Sequence, residues 1–166
     1  MILPELNKTI TLNDVEYNVG IHLAWQRFET CDKHNVVNRK LASRKTNKEI
    51  SEIGALSEIA FCKMVNAYPD FSYHPRKGSA DCHVNGLAID VKVTKVDTGQ
   101  LLVTPKKKID GGIDLFVLLT GLGRKFTYKG WMFAKDIFQD KNMSDLGYGP
   151  TYAIPQENLY TRMRVI

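Results

Sequence analysis

Two aspartates and a lysine interrupt an otherwise mostly apolar pair of predicted strands, SADCHVNGLAIDVKVTK. The Asn-Gly pair between two β-rich runs predicts a two-residue type I′ turn, because both central positions of that turn need a positive φ. In the resulting register Asp81 faces Asp90, and the two-residue period places Lys92 on the same face. Opposed carboxylates have Cβ atoms about 4.5–5.5 Å apart and repel each other. The pattern therefore predicts a bound divalent cation; the alternative is a solvated face on which Lys92 offsets the two acids.

A predicted helix over residues 48–66 carries a glutamate on a small and apolar stripe. The apolar residues that recur at helical spacing are Ile53, Leu56, Ile59, Ala60 and Met64. The neighbours of Glu58 along the helix are Gly54, Ala55, Phe61, Cys62 and Val65. The first two are small enough to let another element approach closely. Because a buried, unpaired carboxylate is costly, we expect Glu58 to have a partner, either a metal or a structural donor such as a lysine or a backbone N–H.

Glu58 within GALSEIAF, followed by Asp81 and by Asp90-Val91-Lys92, resembles the PD-(D/E)xK superfamily of restriction-endonuclease-like nucleases. The resemblance covers about residues 49–120, and the later KGWMFAKDIF and YAIPQENL are similar to the tail of small phage and bacterial members. One departure is Ala80, where the family pattern has proline. The resemblance implies an α/β fold with a restriction-endonuclease-like α-β-β-β-α-β core, in which helices flank a mixed central sheet.

The same resemblance implies cleavage of nucleic acid, usually DNA, with Mg²⁺ as cofactor and Mn²⁺ as a substitute. Asp81 and Asp90 suit this role, since Mg²⁺ is held by one or two carboxylates together with water and substrate phosphate. The carbonyl of Val91 would add a ligand, and Glu58 would bind the metal directly or through water. Lys92 would position or deprotonate the attacking water and stabilise developing negative charge.

Basic residues in three segments are candidates for nucleic-acid contacts, although solvated loops would have the same composition. Arg76 and Lys77 directly precede the Asp81 strand and are the best placed to hold a backbone phosphate. The other two segments contribute Arg39, Lys40, Arg44, Lys45, Lys106 and Lys107. We expect His83, beside the turn, to be solvent-exposed rather than a metal ligand.

The remaining pattern predicts alternating strands and helices in one domain over residues 1–166. Before the Glu58 helix we expect a short hairpin within residues 9–19, turning at Asn13-Asp14. A helix over 21–34 follows, with Trp25 and Phe28 directed inward. After the Asp81 hairpin come a short strand at 101–103, a basic helix beginning at Pro105, a buried strand in IDLFVLLTG, a strand leading into a short helix, and a closing strand.

The composition is ordinary for a globular protein, with an excess of basic residues. The 166 residues are 43% hydrophobic and 25% charged, with a net charge of +5 and a pI near 9.1, which favours polyanionic partners. Cys31, Cys62 and Cys82 lack CxxC spacing and indicate reduced thiols. Because the sequence has neither a membrane-length apolar stretch nor the regions of a signal peptide, we expect a cytoplasmic protein, bacterial or in a phage-infected host.

Several functions share these features. The first is a DNA endonuclease, which would need a homodimer to cut both strands of a duplex. A structure-selective junction resolvase, an exonuclease, a non-catalytic nucleic-acid-binding module of the same fold and a metal-stabilised interaction domain are the alternatives. The presence of all four catalytic-type residues argues against a degenerate, non-catalytic site.

Overall fold

A computed structural model describes residues 3–33, 47–73, 80–147 and 149–161. These residues form a mixed α/β arrangement of two sheets and four helices. This arrangement confirms the α/β class predicted from the alternation of strand and helix patterns. None of the described helices is long and apolar enough to span a membrane.

The larger sheet has five strands in the order β1-β6-β5-β3-β2. Its strands are β1 (Thr9–Thr11), β2 (Cys82–Val84), β3 (Leu87–Thr94), β5 (Leu115–Leu122) and β6 (Lys125–Phe133). β3 and β5 run parallel while the other neighbours are antiparallel, so the sheet is mixed as expected.

A smaller antiparallel sheet lies against the second face of the larger one. It has the order β4-β8-β7, formed by β4 (Leu101–Val103), β7 (Met143–Asp145) and β8 (Pro150–Ile154). The short helices α3 (Pro105–Asp110) and α4 (Ala134–Ile137) and 3₁₀ turns at Asp140–Asn142 and Gln156–Asn158 complete this part. The predicted chain order α-β-β-β-α-β is present, but its third strand, β4, belongs to the smaller sheet.

Both faces of the larger sheet are buried, which explains the nearly continuous apolar run of β5. Leu115, Val117 and Leu119 point into the core shared with α2. Phe116 and Leu118 point into a second core shared with the smaller sheet. Strand β3 is covered in the same way, so its Asp90 face is not a solvated surface.

The predicted hairpin forms at the predicted turn. Asn85 and Gly86 have φ angles of 50° and 79°, as a type I′ turn requires. The register is also as predicted over three pairs: Val84 with Leu87, His83 with Ala88 and Cys82 with Ile89. His83 is exposed, as expected.

The structure corrects the prediction for the N-terminal segment. The expected hairpin over 9–19 is wrong, because β1 pairs with β6 and helix α1 (Asp14–Lys33) already begins at Asp14. Asn13 and Glu16 form a reciprocal capping box: the Glu16 N–H donates to Asn13 Oδ1 at 2.9 Å, and the Asn13 N–H donates to Glu16 Oε2 at 2.8 Å. Trp25 is also not inward; it is 44% exposed and donates to Glu52.

Helix α2 (Asn47–Val65) matches the predicted Glu58 helix and packs against α1. Of the two small residues expected to allow a close approach, Ala55 packs against Leu23 and Ala24 of α1, whereas no atom would lie within 4 Å of a Cβ built on Gly54. A second close approach lies at Gly20 of α1, where an added Cβ would meet Leu56 Cδ2 at 2.7 Å. This packing brings the α1 side chains beside Glu58.

Candidate functional site

Asp81 lies just outside strand β2, beside the edge of β3. Its N–H donates to the carbonyl of Ile89 at 2.8 Å, although Ile89 is already paired with Cys82. Two residues therefore share one partner, as in a β-bulge, and the predicted direct pairing of Asp81 with Asp90 is wrong. The Asp81 Oδ2 atom instead accepts the Val91 N–H at 2.7 Å.

Asp90 is buried on the face of β3 that is turned toward the smaller sheet. Its side chain is 1% exposed, and each of its two oxygens contacts a different ammonium group. Lys92, two residues along the strand, contacts Oδ1, and Lys107 of α3 contacts Oδ2. The alternative of a solvated face with one compensating lysine is therefore excluded for Asp90.

Glu58 has the partner that its apolar surroundings require, and that partner is Arg27 of α1. Arg27 Nη1 lies 2.7 Å from Glu58 Oε2, and the two side chains are only 15% and 13% exposed. Arg27 also donates to the carbonyls of Asp70 and Ser72, at 2.6 and 3.1 Å. The Asp70 N–H in turn donates to the Asp81 carbonyl at 3.2 Å. Arg27 thus connects the Glu58 helix with the chain that packs against Asp81.

The four predicted catalytic residues form one electrostatic cluster. Burial, together with the negative charges of Glu58 and Asp90, raises the pKa of Asp81 to about 8, although Lys92 and the Val91 N–H oppose this rise. Burial also opposes ionisation of Asp90, but Lys92 and Lys107 outweigh it and hold the pKa of Asp90 below its ordinary value. Burial lowers the pKa of Lys92, yet Asp90, Asp81 and Glu58 together raise it above the ordinary lysine value.

This geometry also determines which predicted residues share the site. Glu58 comes from the helix that packs on one face of β3, whereas Asp90 and Lys92 lie on the other face. The β2 ladder ends at Ile89, so no described strand pairs with Asp90–Thr94 on that side. The groups from both faces interact around this open edge.

No family model, curated protein or solved structure matches this chain. Neither the nuclease superfamily nor the restriction-endonuclease-like core is therefore confirmed, and both stay predictions.

The donor set suits a metal that is held by few protein ligands. Among the residues that the structure describes, no three His, Cys, Asp or Glu side chains are arranged to hold a metal ion. Mg²⁺, however, is typically bound through one or two carboxylates, keeping several waters and substrate phosphates as its other ligands. Asp81 and Asp90, both buried beside the open edge of β3, fit that mode. One oxygen of Glu58 contacts Arg27, so Glu58 would bind the metal through its other oxygen or through water.

The predicted nucleic-acid contacts can be located only in part. Lys106 and Lys107 lie on α3, and Lys107 is directed into the site rather than outward. Arg39, Lys40, Arg44, Lys45, Arg76 and Lys77 lie outside the described residues.

The three cysteines are free thiols, as expected, and two of them are buried next to the cluster. A hydrogen bond with Cys82 and burial raise the pKa of the Cys62 thiol, with smaller contributions from the charges of Glu58 and Asp81. A buried thiol with a raised pKa is a poor nucleophile and a poor metal ligand. Cys62 and Cys82 both pack in the core shared with α2.

Sequence reasoning missed two members of the site, Arg27 and the Lys107 contact with Asp90. Arg27 lies 31 residues before Glu58 in the chain, so no local pattern connects them. The sequence signal for Arg27 was the expectation that Glu58 has a partner. That expectation did not indicate where in the chain the partner lies.

Proposed function

We propose that this protein is a metal-dependent nuclease that hydrolyses phosphodiester bonds in DNA. The observation that carries the proposal is the cluster of Glu58, Asp81, Asp90 and Lys92 at one open strand edge, with a pKa of about 8 at Asp81. Perturbed carboxyl groups that interact with a specific charged partner are typical of functional sites. The choice of DNA over RNA rests on the resemblance alone.

The residues divide into metal-holding and charge-stabilising groups. Mg²⁺ bound at Asp81 and Asp90 would polarise the scissile phosphate and lower the pKa of an attacking water. Asp81 must lose its proton to bind the cation, whereas Asp90 is already ionised. The raised pKa of Lys92 keeps its side chain protonated at neutral pH. Lys92 is therefore suited to stabilise developing negative charge or to donate a proton rather than to act as the base.

A cleavage assay with Lys92→Met tests the proposal. Supercoiled, linear, branched and single-stranded DNA are incubated with Mg²⁺, Mn²⁺ or EDTA, and preference for the branched substrate would indicate junction resolution. We expect metal-dependent cleavage by the wild type and a loss of about a hundredfold or more in Lys92→Met, the scale for a positioned acid or charge-stabilising group. Lys95→Met, at an exposed lysine three residues further along, is the matched control and should cleave normally.

Two results would count against this mechanism. Equal cleavage by wild type and Lys92→Met would remove Lys92 from the chemistry. Tight DNA binding without cleavage of any substrate with either metal would favour the second candidate, a non-catalytic nucleic-acid-binding module. The ion pairs that already neutralise Glu58 and Asp90 are the observation in favour of that candidate.

A nuclease of this size would need a second copy to cut both strands of a duplex in one encounter. We therefore propose a homodimer for the endonuclease. Sedimentation of the protein with and without duplex DNA measures the stoichiometry, and one chain per cut duplex would contradict the proposal.

A further inference from the structure

Helix α3 places one lysine in the candidate site and turns its neighbours elsewhere. Lys107 Nζ contacts Asp90 Oδ2, and the Lys107 side chain is 25% exposed. Lys106 pairs with Asp110 across one helical turn at 3.8 Å and is 45% exposed. Lys108 donates to the Phe138 carbonyl at 3.3 Å. The three consecutive lysines therefore have different surroundings, and Lys107 alone of the three contacts Asp90.

Lys107 contacts an oxygen of Asp90 that a bound metal would also approach. Because Asp90 is 1% exposed and each of its oxygens contacts an ammonium group, a divalent cation at Asp90 would be repelled at close range by these ammonium groups unless one lysine withdraws. Lys92 belongs to the same strand as Asp90 and also interacts with Asp81 and Glu58. Lys107 comes from a six-residue helix with no buried residue. Displacing Lys107 from Asp90 therefore costs less free energy than displacing Lys92.

We propose that Lys107 competes with the divalent cation for Asp90 and, once displaced, binds a non-bridging oxygen of the phosphate at the metal. This inference rests on the proposed function and extends it, because Lys107 of α3 would contact Asp90 without metal and the phosphate with metal. Without metal, the ammonium neutralises a buried carboxylate that would otherwise be costly. With metal, the same group lies next to the phosphate, and a lysine is well suited to contact it as a point charge.

The first measurement is Mn²⁺ affinity in the absence of DNA, determined by calorimetry for Lys107→Met and Lys106→Met. Both variants lose one positive charge from the same helix, but Lys107→Met alone removes the competitor at Asp90. We expect Lys107→Met to bind Mn²⁺ about tenfold more tightly than the wild type, a change worth about 1.4 kcal/mol. Lys106→Met should stay within about twofold of the wild type, because a charge on an exposed side chain is screened.

The second measurement is DNA affinity with Ca²⁺, which takes oxygen ligands like those of Mg²⁺, and in EDTA. Lys107→Met should weaken DNA binding with Ca²⁺ about fivefold or more and have a smaller effect in EDTA, where Lys107 is held by Asp90. Lys106→Met should change binding equally in both conditions. An equal effect of Lys107→Met in both conditions would overturn the phosphate contact.

These readouts separate this inference from the proposed function. Mn²⁺ affinity that is unchanged or weaker in Lys107→Met overturns the competition, even in a protein that cleaves DNA. Conversely, tighter Mn²⁺ binding supports the competition in a protein that cleaves nothing, in which case the proposed function fails alone. If Lys107→Met does not fold, Lys107→Gln keeps a donor for Asp90 without the charge and is expected to show the same gain in Mn²⁺ affinity. Absence of Mn²⁺ binding by the wild type overturns the competition as well.

Discussion

Replacing Asp81 by asparagine removes a buried carboxyl group whose proton is coupled to folding. The folded protein keeps this proton up to about pH 8, whereas an unfolded chain releases it near pH 4. The stabilising contribution of the group is therefore fully present below about pH 4 and is lost as the pH rises toward 8. We expect metal-free wild type to lose stability across this window and Asp81→Asn to lose much less.

The structure sets the size of this difference. The two pKa values lie about 4 pH units apart, which corresponds to at most about 5 kcal/mol. The charges of Glu58 and Asp90 contribute to the raised pKa of Asp81. Movement of these side chains and screening by solvent reduce the free-energy difference below this maximum. We expect about 2–3 kcal/mol more loss in the wild type than in Asp81→Asn between pH 5 and pH 8. Asp90 does not interfere, because its lowered folded pKa acts only below about pH 4.

Urea unfolding in EDTA at pH 5, 6, 7 and 8 measures this difference. Asp14→Asn makes the same chemical change at a side chain that is 84% exposed, and its stability should follow the wild-type pH dependence. Parallel pH profiles for the wild type and Asp81→Asn would refute the argument from burial. Because a metal binds the ionised carboxylate, Mn²⁺ uptake by the wild type at pH 7 should also release about one proton, and Asp81→Asn should release none.

Two further substitutions probe the ion pairs. Asp90→Asn should abolish the rise in melting temperature that Mn²⁺ causes. It should also lower metal-free stability by about 2 kcal/mol, because two lysines lose a buried partner. If Mn²⁺ still raises the melting temperature of Asp90→Asn, Asp90 is not a metal ligand. Arg27→Met should cost about 3 kcal/mol in urea unfolding, since it leaves Glu58 and two carbonyls without a donor. The exposed Arg124–Asp14 pair gives the control, in which Arg124→Met should cost less than about 1 kcal/mol.

The parts of the fold that local patterns determine could be predicted from the sequence. The Asn85-Gly86 turn required positive φ values, and its length set the register of the three pairs that follow. Helix α2 and strand β5 were predicted from the spacing of apolar residues over many positions. A single residue that breaks such a long pattern does not change the prediction. The capping box at Asn13 and Glu16 was equally local, but the Asn-Asp pair was interpreted as a turn and not as a helix start.

The parts that depend on packing between distant segments could not be predicted. The Arg27–Glu58 pair needs α1 to lie against α2, and the Lys107–Asp90 pair needs α3 to lie within reach of Asp90. The extra residue at Asp81 is a backbone irregularity that the alternation of side chains does not reveal. The sequence therefore indicated that Glu58, Asp81, Asp90 and Lys92 interact with one another, whereas it gave neither their other partners nor the pairing of Asp81.

The charge balance of the cluster connects these contacts with the proposed chemistry. Among the described residues, the carboxylates of Glu58 and Asp90 face three cations, Arg27, Lys92 and Lys107, while Asp81 keeps its proton at neutral pH. Adding a divalent cation to this set would accumulate positive charge unless the Asp81 proton and the Lys107 contact both leave. A phosphodiester brings the negative charge that offsets the remainder. On the proposed function, metal and DNA therefore favour each other's binding, and the cluster is stable without either.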